Sequence, residues 1–199
     1  MPKDRANARP MIRAIGVIGA GSVGRGIALA SALGGYRTVL EDLLPNALRR
    51  AESEFRTNLD QAIKLGRLSE DAADAALCRL EFAGSVEDAA READLVIEAG
   101  PEEMESKIEI FTLLDKICRP DTILISNLAS LSISEIARAT YRARNCLGMR
   151  FLDPMETGAR LEIIRGLETD DETVATAMEM GQRMGREVVI VKDAVALST

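Results

Sequence analysis

Short apolar runs alternate with longer segments of helical periodicity along most of the chain. The apolar runs predict strands over residues 12–18, 36–41, 93–98, 122–126, 145–151, 161–165 and 187–191. Apolar positions at helical spacing predict helices over 22–33 and 101–118, with shorter helices elsewhere. Such alternation is typical of a parallel sheet wrapped by helices. The pattern therefore predicts an α/β fold with a doubly wound, mostly parallel sheet.

A long polar stretch interrupts this alternation after the second predicted strand. It predicts a helix from Pro45 to about Gly66, where a glycine can end a helix. A second helix is predicted to begin at Ser69, with two acidic residues in its first turn. Because the apolar stripe of both helices is narrow, we expect an inserted helical hairpin at about 45–80 that stands off the sheet.

Three capping-box patterns mark the starts of further helices. A Ser or Thr followed three residues later by an acid can bond reciprocally with the first turn of a helix. The pattern occurs at Ser85, Ser132 and Thr169, which predicts a helix beginning at each.

The first predicted strand leads into a G-x-G-x-x-G motif that opens a helix. Gly19 permits a tight turn, Gly21 lets backbone N–H groups approach a pyrophosphate, and Gly24 brings the helix against the strand. The positive end of the helix dipole then faces the diphosphate. Glycine-rich turns without a ligand are common, but this one has its strand and its helix. We therefore assign the motif, with Ser22 and Val23, to a dinucleotide site.

An acidic residue at the end of the next strand selects among dinucleotides. Asp42 follows the motif by about twenty residues, where a carboxylate can accept hydrogen bonds from both hydroxyls of the adenosine ribose. A 2′-phosphate at that position would meet the negative charges of Glu41 and Asp42. The sequence therefore favours NAD over NADP, the alternative being that Asp42 is a solvated acid at a strand end.

Composition bounds the class of protein. The chain has 199 residues, 47% of them hydrophobic, which suits one domain over 11–199 with an aliphatic core. A net charge of −7 argues against nucleic acids and anionic membranes as general partners. No apolar stretch is long enough to cross a bilayer. Residues 1–10 are polar, and we expect them to form a flexible tail rather than a signal peptide.

The reactive side chains also limit the chemistry that the chain can perform. The three cysteines, Cys78, Cys118 and Cys146, are widely spaced, which predicts reduced, mostly buried thiols in a cytoplasmic protein and no metal site. The chain contains no histidine, the only side chain that titrates near neutrality without perturbation. Any mechanism must therefore work without the usual general base.

Several further segments stand in a fixed order. They are the glycine motif extended to Gly26, Leu-Gly-Arg-Leu-Ser at 65–69, Ala-Asp-Leu-Val-Ile-Glu-Ala at 93–99, Ser-Asn at 126–127, and Val-Lys-Asp at 191–193. Together with Lys107 and Glu162, this series resembles the NAD-binding domain of L-3-hydroxyacyl-CoA dehydrogenases. The resemblance extends from about Ile12 to Asp193 and implies a Rossmann-type sheet.

The resemblance also implies roles for individual residues. It places Gly19, Gly21 and Gly24 at the diphosphate of NAD and Asp42 at its ribose. Five positions would lie along the nicotinamide half of the site: Glu98, Ala99, Glu102, Lys107 and Asn127. The hairpin would help to hold an acyl-CoA, with Lys64 and Arg67 facing its phosphates. A solvated helix end is the alternative for those two residues, and a solvated lysine is the alternative for Lys107.

The chain departs from the family at the positions that perform chemistry. Ala129 stands where the family has a serine that contacts substrate, and Arg150 stands where it has the catalytic histidine. The partner carboxylate is retained as Glu162, and Asn127 completes the catalytic set that we assign. The family's helical C-terminal domain, which supplies dimerisation and part of the substrate site, lies outside these residues. We therefore expect a homo-oligomer, or a partner domain or subunit, to complete the site.

These departures bear directly on activity. A guanidinium keeps its proton at any accessible pH, so Arg150 cannot act as the base. General acid–base catalysis contributes about 10²–10⁴-fold, and its loss would cripple the family reaction. Substitute bases such as Lys107, Asp153 or Glu162 are not signalled, and an ion pair between Arg150 and Glu162 is expected instead. Two functions stay open: a dehydrogenase-like NAD protein with weak or lost activity, and a non-catalytic NAD(H)-binding sensor or subunit.

Overall fold

The computed structural model describes residues 11–151 and 159–194, which form a single eight-stranded sheet. The predicted tail at 1–10, Asp153 and most of the loop at 152–160 lie outside the described residues. The strands are β1 (Ala14–Ile18), β2 (Arg37–Glu41), β3 (Leu80–Ala83), β4 (Leu95–Glu98), β5 (Ile123–Asn127), β6 (Cys146–Phe151), β7 (Arg160–Arg165) and β8 (Glu187–Lys192).

The strand order is β3-β2-β1-β4-β5-β6-β7-β8. Strands β1 to β6 are parallel, β7 runs antiparallel to β6, and β8 is parallel to β7. This confirms the predicted doubly wound, mostly parallel sheet. The chain moves outward from β1 to β3 and then returns to β4, so the order reverses between β1 and β4. In open α/β sheets that reversal leaves a crevice at the carboxyl ends of the strands, where ligands bind.

Helices cover both faces of the sheet. They are α1 (Ser22–Leu33), α2 (Pro45–Lys64), α3 (Glu70–Leu77), α4 (Val86–Ala90), α5 (Met104–Ile117), α6 (Ile133–Ala137) and α7 (Asp171–Arg183). Buried residues of α1, α2, α3 and α7 share one apolar core with alternate residues of the strands. Those of α4, α5 and α6 share the other core on the opposite face. Each inner strand is therefore apolar on both sides, as a parallel sheet requires.

Helices α2 and α3 form the predicted hairpin, which packs on α1. Helix α2 buries Ala51, Phe55 and Leu59, and α3 begins after Ser69, whose hydroxyl accepts a hydrogen bond from the Ala72 N–H. The hairpin also reaches the sheet, because the ring of Phe55 stacks on Phe82 of β3 with centroids 6.2 Å apart. The hairpin is thus in contact with the edge strand β3 through Phe55, rather than separate from the sheet as expected.

Three expectations about elements are wrong in detail. The edge strand β3, which begins at Leu80 where the hairpin was expected to end, was not predicted. Helix α5 begins at Met104 rather than at Pro101. Helix α7 is capped by Asp170, which accepts from the Thr173 N–H at 2.7 Å, and not by Thr169. Thr169 is 3% exposed, and its hydroxyl donates to the Cys146 carbonyl, so it ties α7 to β6 instead. The caps at Ser85 and Ser132 are confirmed.

Candidate functional site

The glycine motif forms a tight turn between β1 and α1 at the crevice. Gly19 has φ of +101°, which side chains other than hydrogen rarely tolerate. A Cβ on Gly24 would lie 1.9 Å from the Gly19 carbonyl oxygen, so only glycine lets the helix approach this closely. A Cβ on Gly21 would meet nothing within 4 Å, because Gly21 faces open space. The turn is therefore tightly packed at Gly24 and open at Gly21.

Asp42 lies beside this turn and holds its backbone. Its Oδ2 accepts from the Ala20 N–H at 2.9 Å, and its Oδ1 accepts from the Leu44 N–H at 2.9 Å. Each carboxylate oxygen keeps a further lone pair that can accept a ribose hydroxyl. The neighbouring acid, Glu41, is only 3% exposed. Of the two acids expected to repel a 2′-phosphate, Asp42 thus faces the crevice and Glu41 lies beneath it.

Arg25 also holds the turn, a role that the sequence did not reveal. Its Nη1 donates to the Ala20 carbonyl at 2.7 Å, and its Nε lies 2.7 Å from Glu54 on α2. The hairpin is thereby connected to the glycine turn. Only the position of Arg25 within the motif could have indicated this contact.

A buried charge network lies below the ends of β4 and β5. Lys107 is fully buried, and its Nζ donates to the two carboxylate oxygens of Glu98 at 3.1 and 2.8 Å and to the Asn127 carbonyl at 3.0 Å. The Ser126 hydroxyl donates to Glu98 at 2.6 Å. The alternative of a solvated lysine is wrong. Any influence of Lys107 on a nicotinamide must pass through Glu98 and Asn127, because its ammonium has no exposed surface.

Two further positions that were expected at the nicotinamide lie next to this network. Ala99 follows β4, and its N–H donates to the Ile18 carbonyl beside the glycine turn. Glu102 accepts from three successive amides, those of Ala129, Ser130 and Leu131, at 2.8–3.1 Å. Burial alone would raise the pKa of Glu102, but these three bonds and the charge of Lys107 hold it below its usual value. Glu102 therefore fastens the segment after β5 as an anion.

Arg150 and Glu162 form the predicted ion pair. Arg150 Nη1 lies 2.6 Å from Glu162 Oε2, across the antiparallel pair β6 and β7. The same guanidinium donates to the carbonyls of Leu128 and Ala129 at 3.3 and 2.6 Å. Arg160 approaches the other Glu162 oxygen at 3.4 Å. The side chain of Arg150 thus bridges Glu162 and the segment after Asn127.

The structure therefore brings most of the assigned residues to one edge of the sheet. The glycine turn and Asp42 lie at the ends of β1 and β2, while Ala99, Glu102, Asn127, Arg150 and Glu162 lie along β4 to β7. Lys64 and Arg67 are exposed at the tip of the hairpin. They belong to a different segment of the sequence from the residues at these strand ends. Cys118 and Cys146 are buried, whereas Cys78 is exposed.

These residues fit a bound dinucleotide. Helix α1 begins at Ser22, with Gly21 as its N-cap and no acidic side chain in its first turn, so its first amides are available to an anion. Asn127 Oδ1 is buried without a hydrogen-bond partner among the described residues and so can accept one from a ligand. Asp42 would hold the ribose.

The described ranges hold neither a metal-ligand cluster nor a membrane-spanning helix. No three or more His, Cys, Asp or Glu side chains there are grouped as metal ligands. No helix of 11–151 or 159–194 is long and apolar enough to cross a membrane.

Comparison with known proteins identifies the relatives of this fold. Residues 14–194 match the family described as 3-hydroxyacyl-CoA dehydrogenase, NAD binding domain. The chain is 37% identical over 182 residues to a probable 3-hydroxybutyryl-CoA dehydrogenase of Bacillus subtilis, covering 92% of this chain and 63% of that protein. It is 35% identical over 183 residues to a 3-hydroxybutyryl-CoA dehydrogenase of Bradyrhizobium diazoefficiens, covering 92% and 62%.

A solved structure agrees with these sequence matches. The crystal structure of an (S)-3-hydroxybutyryl-CoA dehydrogenase from Ralstonia eutropha superposes with a TM-score of 0.87 at 35% identity, covering 92% of this chain and 64% of that one. The chain thus spans less than two thirds of the length of these relatives. NAD is the cofactor of the matched domain.

Proposed function

Because the chain belongs to the 3-hydroxyacyl-CoA dehydrogenase family through its NAD-binding domain, we propose that it binds NAD(H) at the crevice and is a dehydrogenase-like protein with weak or no turnover. The substrate of the proposed reaction is an acyl-CoA with a hydroxyl or carbonyl group at C3. The contacts of Arg150 carry the proposal, since this residue stands where the family has its base.

When bound, NAD supplies the hydride acceptor, and NADH the donor. The chain's own task is to move the proton of the substrate hydroxyl. Arg150 cannot take that proton, because its guanidinium is already charged and donates to Glu162 and two carbonyls. Its N–H groups can hydrogen-bond a carbonyl oxygen without transferring a proton. We therefore infer that the substrate oxygen can be oriented here but is not efficiently deprotonated.

Two further parts of the proposal concern the substrate. Lys64 and Arg67 are exposed on the hairpin, which supports a contact with the phosphates of CoA. A second copy, a partner subunit or a helical domain is proposed to complete the acyl site, because the relatives extend well beyond the matched region. We also propose a cytoplasmic location.

A non-catalytic NAD(H)-binding protein is the second candidate. The ion pair of Arg150 and Glu162 favours it, since the two side chains satisfy each other at 2.6 Å. In that case the crevice would report NAD(H) to a partner.

The direct test is oxidation of NADH in the presence of acetoacetyl-CoA, the keto product of 3-hydroxybutyryl-CoA. For the wild-type chain we expect a rate lower by about 10²–10⁴-fold than that of a relative with histidine at this position. Arg150→His should raise the rate, and the double variant with Ala129→Ser should raise it further.

Arg160→His provides the matched control, because Arg160 approaches the same carboxylate from the exposed side. It should leave the rate unchanged. Rapid turnover by the wild-type chain would contradict the assignment of Arg150. No turnover in Arg150→His or in its double variant with Ala129→Ser, together with tight NADH binding, would favour the non-catalytic candidate.

A further inference from the structure

Glu41 is an acid buried at the crevice between β1 and β4. It is the last residue of β2, where it lies in register between Ile18 of β1 and Ala83 of β3. The residue is 3% exposed, and its Oε1 is buried without a hydrogen-bond partner among the described residues. A buried carboxylate with an unsatisfied oxygen is costly, whereas the protonated acid is much less so.

The side chain lies close to Gly19 of the glycine turn. The Gly19 N–H is near enough to the carboxyl group to favour its charged form slightly. The backbones are also joined, because the Gly19 N–H donates to the Glu41 carbonyl at 2.9 Å. Asp42 is the next residue and binds the Ala20 N–H of the same turn. Glu41 is therefore adjacent to the turn both through its own backbone and through Asp42.

Within 11–151 and 159–194, no cation acts on the pKa of Glu41. Asp42 is the charged neighbour that acts on it, and its negative charge is unfavourable to a second carboxylate. On the same face of the sheet Glu98 lies beyond Ile18, but its charge is matched by Lys107.

The other packed elements present apolar residues to this region. Strand β3 contributes Ala83, while Glu81 is paired with Arg37 at the surface. Helix α4 buries Ala89 and Ala90 and keeps its charged residues, Glu87, Asp88 and Arg91, exposed.

The pKa of Glu41 reflects these surroundings. Burial raises it to about 7, the charge of Asp42 adds to the rise, and the Gly19 N–H opposes it. Near neutral pH the acid is therefore close to half protonated.

We propose that Glu41 is a positioning residue that supports the dinucleotide turn as a neutral acid, so that binding of NAD(H) near neutral pH takes up a fraction of a proton. The proposal rests on binding of the dinucleotide over Gly19–Gly24. Each phosphate of the ligand brings a negative charge to the turn, and an ionised Glu41 beneath it would repel that charge. The proton taken up comes from solvent and forms the O–H bond of the Glu41 carboxyl group.

The composition of the chain makes this effect unusually easy to observe. Without histidine, no side chain titrates at neutral pH unless it is perturbed. Burial raises the pKa of Cys118 to about 11 and that of Cys146 to about 12, so neither thiol ionises in this range. Groups that titrate alike in all variants cancel in a comparison between them.

The test is calorimetric titration of NADH into the full chain across the range from about pH 6 to about pH 8.5. The wild-type affinity should fall by about tenfold per pH unit above the pKa of Glu41, until the pKa of the complex is reached. At pH 7.5, the heat of binding should differ between phosphate and Tris, because the two buffers release a proton with different enthalpies. The difference should correspond to uptake of a fraction of a proton per NADH. Glu41→Gln, which mimics the neutral acid, should bind NADH equally well at every pH.

Glu81→Gln is the matched control, because it removes an exposed carboxylate from the neighbouring strand and should keep the wild-type pH profile. A flat profile for the wild-type chain, or an unchanged slope in Glu41→Gln, would overturn the role of Glu41. The buffer comparison needs no variant, so the proposal stays testable if Glu41→Gln does not fold. Absence of NADH binding at every pH would instead refute the proposed function.

Discussion

Lys107 and Arg150 are both cations paired with carboxylates, but the two pairs differ in burial. Lys107 has no exposed surface and is paired within the fold, whereas the side chain of Arg150 is 36% exposed at the strand ends. Water weakens the second pair and leaves the first at full strength. Lys107 therefore contributes to the fold around Glu98, while Arg150 stays accessible to solvent at the strand ends.

Lys107→Ala tests this distinction through stability. The variant leaves Glu98 buried without its cation, which we expect to lower the free energy of unfolding by about 3–5 kcal/mol. Urea denaturation would measure the loss. Lys116→Ala, which removes an exposed lysine near the end of the same helix, should cost about 0.5 kcal/mol or less. Equal losses in the two variants would show that Lys107 is not part of a buried network.

For individual residues, the sequence identified which ones have a role more reliably than it identified their contacts. The pairing of Arg150 with Glu162 was predictable because a resemblance supplied both positions. The burial of Lys107 was not, since it depends on how α5 packs over β4 and β5. Arg25 was missed for the same reason: its partner Glu54 lies on a different helix, and no local pattern joins the two.

Elements were predictable where their signals are local. Ser85 and Ser132 cap their helices as expected, because a cap needs only the next three residues. Strand β3 was missed because Leu80-Glu81-Phe82-Ala83 is short, at the sheet edge and half exposed, so its pairing with β2 depends on tertiary contacts. Thr169 was misassigned because its hydroxyl finds a buried carbonyl of β6 that the sequence does not reveal.

The corrected start of α7 can be measured. Asp170→Ala removes the hydrogen bond to the Thr173 N–H and should lower the free energy of unfolding by about 1 kcal/mol. Asp171→Ala, the matched change one residue later, removes a highly exposed carboxylate and should cost only about 0.3 kcal/mol. If thermal or urea unfolding shows the larger loss for Asp171→Ala, the cap is wrongly placed.

For the molecule as a whole, topology and cofactor were within reach of the sequence, because alternation of strands and helices fixes a doubly wound sheet and the crevice follows from it. The electrostatic response to pH was not, because it depends on burial. Glu41 is the clearest case: its position suggested a negative charge that a 2′-phosphate would meet, whereas the fold encloses it.

Glu41 should make stability depend on pH. Its pKa rises from 4.5 in the unfolded chain to about 7 in the fold, so the stability it contributes is complete below about pH 4.5 and is lost as pH rises through 7. Glu41→Gln should therefore raise the free energy of unfolding at pH 8 by about 2 kcal/mol relative to its effect at pH 5. Urea denaturation at the two pH values checks this, and an equal effect at both would contradict it.

Titration calorimetry with NADH, comparing the wild-type chain with Asp42→Ala, tests the central claim of a dinucleotide site most directly. The wild-type chain should bind NADH saturably at one site. Asp42→Ala should weaken binding by about tenfold through loss of charge-assisted hydrogen bonds to the ribose, whereas Asp60→Ala, an exposed change on α2, should have no effect. Failure of the wild-type chain to bind NADH, or equal affinity in Asp42→Ala, would contradict the account.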